Sequence, residues 1–267
     1  YLSCPAKFYY QYILGLKENE QLLVDIEANE IGIFFHELLH DQYKTFLDKK
    51  PIIDEKFLEK LLESAKNKFK REFSSRIGEG DFLLFKSIKF AIERFIEIEK
   101  NFNIRKLIRL EKEYDKNFNV NGRTIKMKGI IDRIDLLEDG TYRLIDYKTG
   151  GLQQIPSKDD KKLSTLTDRT GIKKYVRSFQ LPIYIFLMSD NFKFGQIEPM
   201  LIYLKESRVE KLWKDEMSLS EKKSLFDIYL ASLGKIIEEI LNPNVDFETD
   251  DEDVRLCEMC PYNKICR

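Results

Sequence analysis

Gly129-Ile-Ile-Asp132-Arg133-Ile-Asp135-Leu-Leu-Glu138-Asp139-Gly140-Thr141-Tyr-Arg-Leu-Ile-Asp146-Tyr147-Lys148-Thr149-Gly150 is the stretch that decides the fold. Apolar and β-branched residues fill Ile125 to Leu137 and Thr141 to Tyr147, and Glu138-Asp139-Gly140 between them is a hairpin signal. Side chains alternate faces along a strand, so Tyr142, Leu144, Asp146 and Lys148 point the same way. With a three-residue loop and Gly140 in the left-handed conformation, Leu137 faces Thr141 and Asp132 falls across from Asp146. Opposed residues share a face with their Cβ atoms roughly 5 Å apart, close enough for one cation to bridge two carboxylates. A two-residue loop would turn Asp132 to the other face, so the site depends on that turn.

These residue types suit metal-assisted phosphodiester hydrolysis. A phosphodiester is an anion that repels hydroxide. A hard divalent cation on oxygen ligands neutralises it and lowers the pKa of a bound water. Lys148, one pleat beyond Asp146, can reach the attacking water or the scissile phosphate and steady the developing charge. The bland alternative makes Asp132, Arg133 and Asp135 ordinary salt-bridge partners at a strand end and Lys148 a solvated edge residue. An isolated Asp-x-Lys favours that alternative, because the tripeptide is common by chance.

The company of these residues changes the balance. Gly32-x-x-x-His36, Gly129-x-x-Asp132-Arg133-x-Asp135, Asp146-Tyr147-Lys148-Thr149-Gly150 and Gln180-Leu181-x-x-Tyr184 resemble, in order and rough spacing, the motifs of the PD-(D/E)XK nuclease superfamily. Within it the chain is most similar to RecB-like exonuclease domains, and the resemblance covers residues 1 to 267. It implies His36, Asp132 and Asp146 as metal ligands, joined by the Tyr147 backbone carbonyl, with Mg²⁺ or Mn²⁺ as the cation. It also implies Lys148 as the catalytic lysine, with Gln180 and Tyr184 supporting the site or touching the substrate backbone. Ile145 stands where the superfamily's name places a proline, a position at which RecB-like members vary.

Cysteine usage is a second signal. Cys4 stands alone near one end, and Cys257, Cys260 and Cys266 form C-x-x-C-x5-C at the other. They make one four-thiolate site only if the two ends of the chain meet. An iron-sulfur cluster is such a site. A four-cysteine zinc site is the second option, although structural zinc favours two C-x-x-C knuckles. Disulfides come third, because a chain of 267 residues with a full core needs no such staple. The resemblance sharpens the order: a lone N-terminal Cys before Pro5, with a C-terminal C-x-x-C-P, is similar to RecB-like nucleases carrying a four-iron cluster, the AddB-type proteins among them. The implied role is mechanical, closing a loop of about 250 residues and removing unfolded-state entropy.

His36-Glu37-Leu38-Leu39-His40 competes as a formal H-E-x-x-H, the zinc-protease pattern. The chain has only these two histidines, so a third ligand would be a carboxylate such as Glu55, Glu59 or Glu63. That reading explains neither the hairpin carboxylates, nor Lys148, nor the cysteines.

A formal net charge of -1 gives no global basic footprint of the kind many DNA binders carry. A DNA channel must come from local clusters, and Lys66, Lys68, Lys70 and Arg71, or Lys158, Lys161, Lys162, Arg169, Lys173 and Lys174, are candidates. A solvated face is the alternative for both runs. No apolar stretch has membrane-span length and no signal peptide is recognisable, so a cytoplasmic location is expected. The start at Tyr1 without Met suggests a fragment of something longer.

The predicted elements run helices, strands, helices. Ser3 is the expected cap of a short helix begun by Pro5. Ile33 to Phe46 is the helix bearing His36. Asp54 caps a helix with the stripe Phe57, Leu58, Leu61, Leu62, Ala65 and Phe69, and after a break at Gly78-Glu-Gly80 a second runs from Phe82 to Lys100. Leu107 to Val120 and the hairpin supply three strands. Residues 151 to 174 read as a long polar loop, either substrate-gating or disordered. Phe179 to Ser189 is a helix with Gln180 and Tyr184 one turn apart. Ile197 to Lys205 is a further strand, and Ser218-x-x-Glu221 opens a helix to about Leu241.

The expected architecture is an α/β restriction-endonuclease-like core with a mixed central sheet, flanking helices and an N-terminal helical insertion. One domain spans 1–267, with the insertion at about 51–104, the catalytic core at about 105–241 and a cysteine-bearing tail at 242–267. The expected function is metal-dependent DNA hydrolysis, as an exonuclease in repair or recombination beside a helicase or other domains of a longer chain or complex. A catalytically silent nucleic-acid-binding module is the alternative.

Overall fold

The computed structural model describes residues 1–16, 26, 28–77, 81–150, 155–252 and 254–266. A five-stranded mixed sheet forms its middle layer, in the order β1 (Ile104–Val120), β2 (Arg123–Leu137), β3 (Tyr142–Lys148), β4 (Ile197–Tyr203) and β5 (Arg208–Lys211). The β1–β2 and β2–β3 pairs are antiparallel, β3–β4 is parallel and β4–β5 is antiparallel. A parallel pair requires a crossover. Here α5 (Asp160–Ser164), α6 (Arg169–Tyr175) and α7 (Gln180–Met188) supply it between β3 and β4.

The earlier helices are α1 (Pro5–Phe8), which continues as a π-helical turn over Tyr9–Ile13, α2 (Ala28–Tyr43), α3 (Glu55–Ile77) and α4 (Asp81–Lys100). After the sheet come α8 (Leu219–Ile240) and the short α9 (Val254–Glu258). Strand alternation gives the sheet two apolar faces. Ile145, Tyr147, Met200 and Ile202 pack with α2, α3 and α4 through Phe34, Leu38, Leu61 and Phe95. Ile134, Leu144 and Leu201 pack with α7 and α8 through Leu181, Ile185, Tyr229 and Leu233. The result is a restriction-endonuclease-like α/β sandwich. None of its described helices is long and apolar enough to cross a membrane.

Local chemistry sets the boundaries. Asp54 caps α3 by accepting from the Phe57 amide at 2.9 Å. Ser218 and Glu221 form the expected reciprocal capping box on α8. The cap of α1 differs from expectation: it is Cys4, whose sulfur accepts from the Lys7 amide, and not Ser3. The predicted loop over 151 to 174 is also corrected, since Asp159 and Asp168 cap α5 and α6 within it. Residues 151–154, and the expected break at 78–80, lie outside the described residues. The edge strand β5 has no counterpart in the sequence reading.

Candidate active site

Two turns align three strands. Gly140 has φ +85° and its amide donates to the Leu137 carbonyl, so the β2–β3 loop has the three-residue form. Leu137 meets Thr141, and the pairs Leu136–Tyr142 through Arg133–Ile145 follow in unbroken register. One more step sets Asp132 against Asp146. At the other hairpin Asn121 and Gly122 have φ +47° and +76°, a two-residue turn that pairs Val120 with Arg123. That register runs back through Lys112–Ile131 and Leu110–Arg133, which sets Glu111 opposite Asp132. Glu111, Asp132 and Asp146 therefore form a row across three strands. Sequence reasoning missed Glu111. The signal was Asn121-Gly122, a strong hairpin dipeptide from which the register can be counted.

Helix α2 brings His36 to this row. Its Nε2 lies 3.2 Å from the Tyr147 carbonyl oxygen, which can only accept, so that nitrogen carries the proton. Nδ1 faces Glu111 Oε1 at 3.4 Å and Asp132 Oδ2 at 3.5 Å, donating to them when the imidazole is charged and turning its lone pair to the same space when it is neutral. Burial works against charge on His36, but the contact with Glu111 and the charges of Asp132, Glu111 and Asp146 raise its pKa overall. Asp132 is 6% exposed, and burial, then the charge of Asp146, pushes its carboxyl up to about 7. An imidazole lone pair and two carboxylates facing one another form a donor set that a hard cation fits, with the imidazole N–H anchored on a carbonyl as metal-ligating histidines require. Among the described residues, only His36, Glu111 and Asp132 bring three such donor atoms within 4.8 Å of one another.

Asp146 lies beside that trio, not within it. Its Oδ1 accepts from Gln180 Nε2 at 2.6 Å and from the Tyr184 hydroxyl at 2.9 Å, and its Oδ2 is 2.7 Å from Lys148 Nζ. Burial, then the charges of Asp146 and Asp132, raises the Tyr184 pKa, so the phenol stays a donor. Gln180 and Tyr184 thus support a carboxylate of the site. Gly129 explains how α7 comes so near: a Cβ there would meet Leu187 Cδ1 at 3.0 Å and Tyr184 Cε1 at 3.5 Å.

Arg133 and Asp135 point away from Asp132. Arg133 is fully buried, bonds Asp135 and Glu99 at 2.9 Å each, and donates to the Tyr147 hydroxyl at 3.1 Å. The ordinary salt bridge considered for this strand therefore exists for Arg133 and Asp135 and leaves Asp132 out.

The two ends of the chain meet. The Ala6 amide donates to the Glu248 carbonyl, Arg169 bonds both the Leu2 carbonyl and Asp250, and Phe247 stacks with Phe8 and Tyr9. Cys4, Cys257, Cys260 and Cys266 line one cavity of about 390 Å³, and none is in a disulfide. Desolvation, then the neighbouring Cys4, raises the Cys257 thiol; desolvation, then Cys260, raises that of Cys266. Four sulfurs on one cavity are a donor set of the kind that thiolate-bound groups take.

Other candidates have different partners. Glu37 of the H-E-x-x-H run pairs with Lys68, and His40 contacts Asp41 outside the donor trio. Lys68 is buried and also pairs with Glu72. Arg169 and Lys173 both hold Asp250. These three cations serve the fold, which removes them from the expected DNA-facing sets.

Among known proteins, one component of an ATP-dependent helicase/deoxyribonuclease from Carboxydothermus hydrogenoformans is 32% identical over 171 residues, 57% of this chain and 15% of that protein. The like-named protein of Acetivibrio thermocellus is 28% identical over 173 residues, again 57% of this chain and 15% of that protein. The chain thus matches a small part of the length of these relatives. The crystal structure of SSO0001 aligns over 98% of this chain and 93% of its own, with 17% identity and a TM-score of 0.31. The family model of the PD-(D/E)XK nuclease superfamily matches residues 1–267. This chain belongs to the PD-(D/E)XK nuclease superfamily.

Proposed function

We propose that the chain is a metal-dependent deoxyribonuclease module, acting as an exonuclease on DNA phosphodiesters in repair or recombination. The observation that carries this reading is the convergence of His36 Nδ1 on Asp132 at 3.5 Å, beside the Asp146–Lys148 pair. His36, Asp132 and Asp146 would hold Mg²⁺ or Mn²⁺, with the Tyr147 carbonyl at the edge of the set. Bound there, the cation supplies charge neutralisation of the phosphate and a more acidic water.

The chain's own residues account for the rest. The Tyr147 amide fixes Asp132 Oδ2 at 2.7 Å. Gln180 and Tyr184 fix Asp146 Oδ1 and leave its other oxygen toward Lys148. Lys148 Nζ, held by Asp146, orients the attacking water and offsets charge gathering on the phosphate oxygens. Water loses a proton as its oxygen bonds to phosphorus, the bond from phosphorus to the sugar oxygen breaks, and that oxygen takes up a proton and leaves as an alcohol.

Cys4, Cys257, Cys260 and Cys266 would hold an iron-sulfur cluster, of the 4Fe-4S type. A lone Cys4 joined to a single C-x-x-C favours a cluster over the paired knuckles of structural zinc. We place the module in the cytoplasm, where thiolate ligands are kept from disulfide formation. The relatives' names motivate the further proposal that this module works beside a helicase, within a longer chain or complex.

The test is cleavage of end-labelled linear DNA and closed circular plasmid with Mn²⁺ or Mg²⁺, comparing parent, Asp146→Asn and Lys148→Ala. Loss of roughly 10²–10³-fold in rate in each variant is expected, in line with removal of a transition-state stabiliser. Undiminished cleavage by both variants places the activity elsewhere, and nicking of the closed circle refutes the exonuclease reading.

A further inference from the structure

We infer that Glu111 is a direct ligand of the active-site cation, supplying a carboxylate alongside His36 and Asp132. The inference rests on the metal-dependent reading above and extends it to a residue on the first strand of the sheet.

The charge pattern along β1 is the first ground. Glu111, Glu113 and Asp115 alternate with other residues and so share a face. Glu113 pairs with Lys128 at 3.1 Å and Asp115 with Lys126 at 3.0 Å, diagonally across to β2. The same diagonal from Glu111 leads to Ile130, which is 49% exposed. Where the pattern would set a lysine there is no cation, and the residue directly opposite is Asp132. Like charges opposed across a ladder are destabilising. The sequence thus pairs Glu113 and Asp115 with lysines of β2 and sets Glu111 against Asp132, with His36 Nδ1 3.4 Å away.

The imidazole supplies the second ground. With Nε2–H directed to the Tyr147 carbonyl, a neutral His36 turns its Nδ1 lone pair into the space that Glu111 Oε1 and Asp132 Oδ2 share. A divalent cation satisfies all three donors together. His36 and Glu111 also line a cavity of about 670 Å³, together with Gly32 and His40.

The backbone agrees with this arrangement. Among the described non-glycine residues with positive φ, Glu111, at +44°, is the one inside a strand. Such a conformation costs roughly 1–2 kcal/mol in an L-residue, and it persists where surroundings demand it. Here it accompanies the side chain that reaches His36.

The experiment is calorimetric titration of Mn²⁺ into the full chain as parent, Glu111→Gln, Asp132→Asn and Asp115→Asn, with melting temperatures taken without metal. Loss of even a supporting partner weakens metal sites about 10- to 100-fold. Glu111→Gln should therefore weaken Mn²⁺ binding at least about tenfold, while Asp115→Asn, the same charge change on the same strand, changes it by less than about twofold. The metal-free Glu111→Gln protein should melt close to the parent, because the like-charge contact with Asp132 and the contact with His36 are removed together. Parental affinity in Glu111→Gln overturns the inference and leaves the nuclease reading intact. Equal weakening by Asp115→Asn, or a lower metal-free melting temperature in Glu111→Gln, reduces Glu111 to a general electrostatic or structural role and also overturns it. If the parent shows no Mn²⁺ binding that Asp132→Asn abolishes, the metal-dependent reading fails and this inference fails with it.

Discussion

The Asp132 carboxylate accepts a 2.7 Å hydrogen bond from the backbone N–H of Tyr147, so a proposed metal ligand also closes the ladder between β2 and β3. Regular pairing stops one step earlier, at Arg133 and Ile145. The side chain therefore has two separable duties. Asp132→Asn keeps an oxygen to accept from Tyr147 and removes a charge beside Asp146 and Glu111. That variant should be at least as stable as the parent without metal and gain nothing from Mn²⁺. Asp132→Ala leaves the amide unmatched, at a cost of about 1–3 kcal/mol. Melting curves with and without Mn²⁺ separate the two, and equal Mn²⁺ stabilisation of parent and Asp132→Asn would sink the ligand assignment.

The same carboxyl sets a pH dependence. Its pKa is pushed from 3.8 up to about 7, by burial first and Asp146 second. Between those values the folded chain binds more protons than the unfolded chain, so this group's contribution to stability falls as pH rises. A cation must displace that proton, so affinity for it rises over the same window. The melting temperature of the metal-free parent, relative to Asp132→Asn, should decline from pH 5 to pH 8 on the scale set by that pKa, while the gain from Mn²⁺ grows. A relative stability that climbs with pH contradicts the assignment.

Arg133 allows a test that leaves the donor set in place. Its side chain and those of Glu99 and Asp135 are fully buried together, and Tyr43 donates to Glu99 at 2.8 Å. Burial raises the Glu99 pKa and the Arg133 charge opposes that rise. Arg133→Met strands two buried acids, a loss of about 3–5 kcal/mol. Adding Glu99→Gln and Asp135→Asn should recover part of it. Urea denaturation measures both, and a single variant as stable as the parent would show that the cluster contributes nothing.

Much of this arrangement could be read from loop chemistry. Glu138-Asp139-Gly140 determines the parity that sets Asp132 against Asp146, apolar stripes mark α3 and α4, and the Ser218–Glu221 capping box marks α8. Short elements escaped: β5 has four residues, and α5 and α6 are stabilised by their Asp159 and Asp168 caps and by packing of Leu163 and Ile172. Glu111 escaped because counting stopped at one hairpin. The pairing of Lys68, Arg169 and Lys173 with acids distant in sequence was not legible at all, since charge runs look alike whether they face solvent or fold inward.

The cysteine cavity predicts an order of loosening. A cluster on Cys4 and Cys257 would cross-link the termini, yet the Arg169 and Lys173 bonds to Asp250 and the Phe247 stack already dock them. Cys257→Ala should therefore lower stability by about 2–4 kcal/mol without abolishing the fold. Hydrogen exchange should show protection lost first in residues 1–16 and 242–266 and last in β2 and β3. Iron and sulfide content, with the charge-transfer absorption of an anaerobic sample, identify the group. Unchanged melting in Cys257→Ala would remove its structural role.

Gly129 links packing to chemistry through α7. The methyl of Gly129→Ala would press on Leu187 Cδ1 at 3.0 Å, and Leu187 is 2% exposed, so that side chain has little room to move aside and the remaining pressure passes to α7. Overpacking of this kind costs about 1–3 kcal/mol. The larger consequence is expected in catalysis, because Gln180 and Tyr184 ride on the same helix and hold Asp146 Oδ1. A shift of α7 would release that oxygen and lower the cleavage rate more than the melting temperature suggests. Leu187→Ala made in the same chain provides the missing space and should restore much of the rate while leaving stability low. Rate and stability measured on the single and double variants decide the matter: if the double variant recovers no rate, pressure from Gly129 on α7 is not how this glycine serves the site.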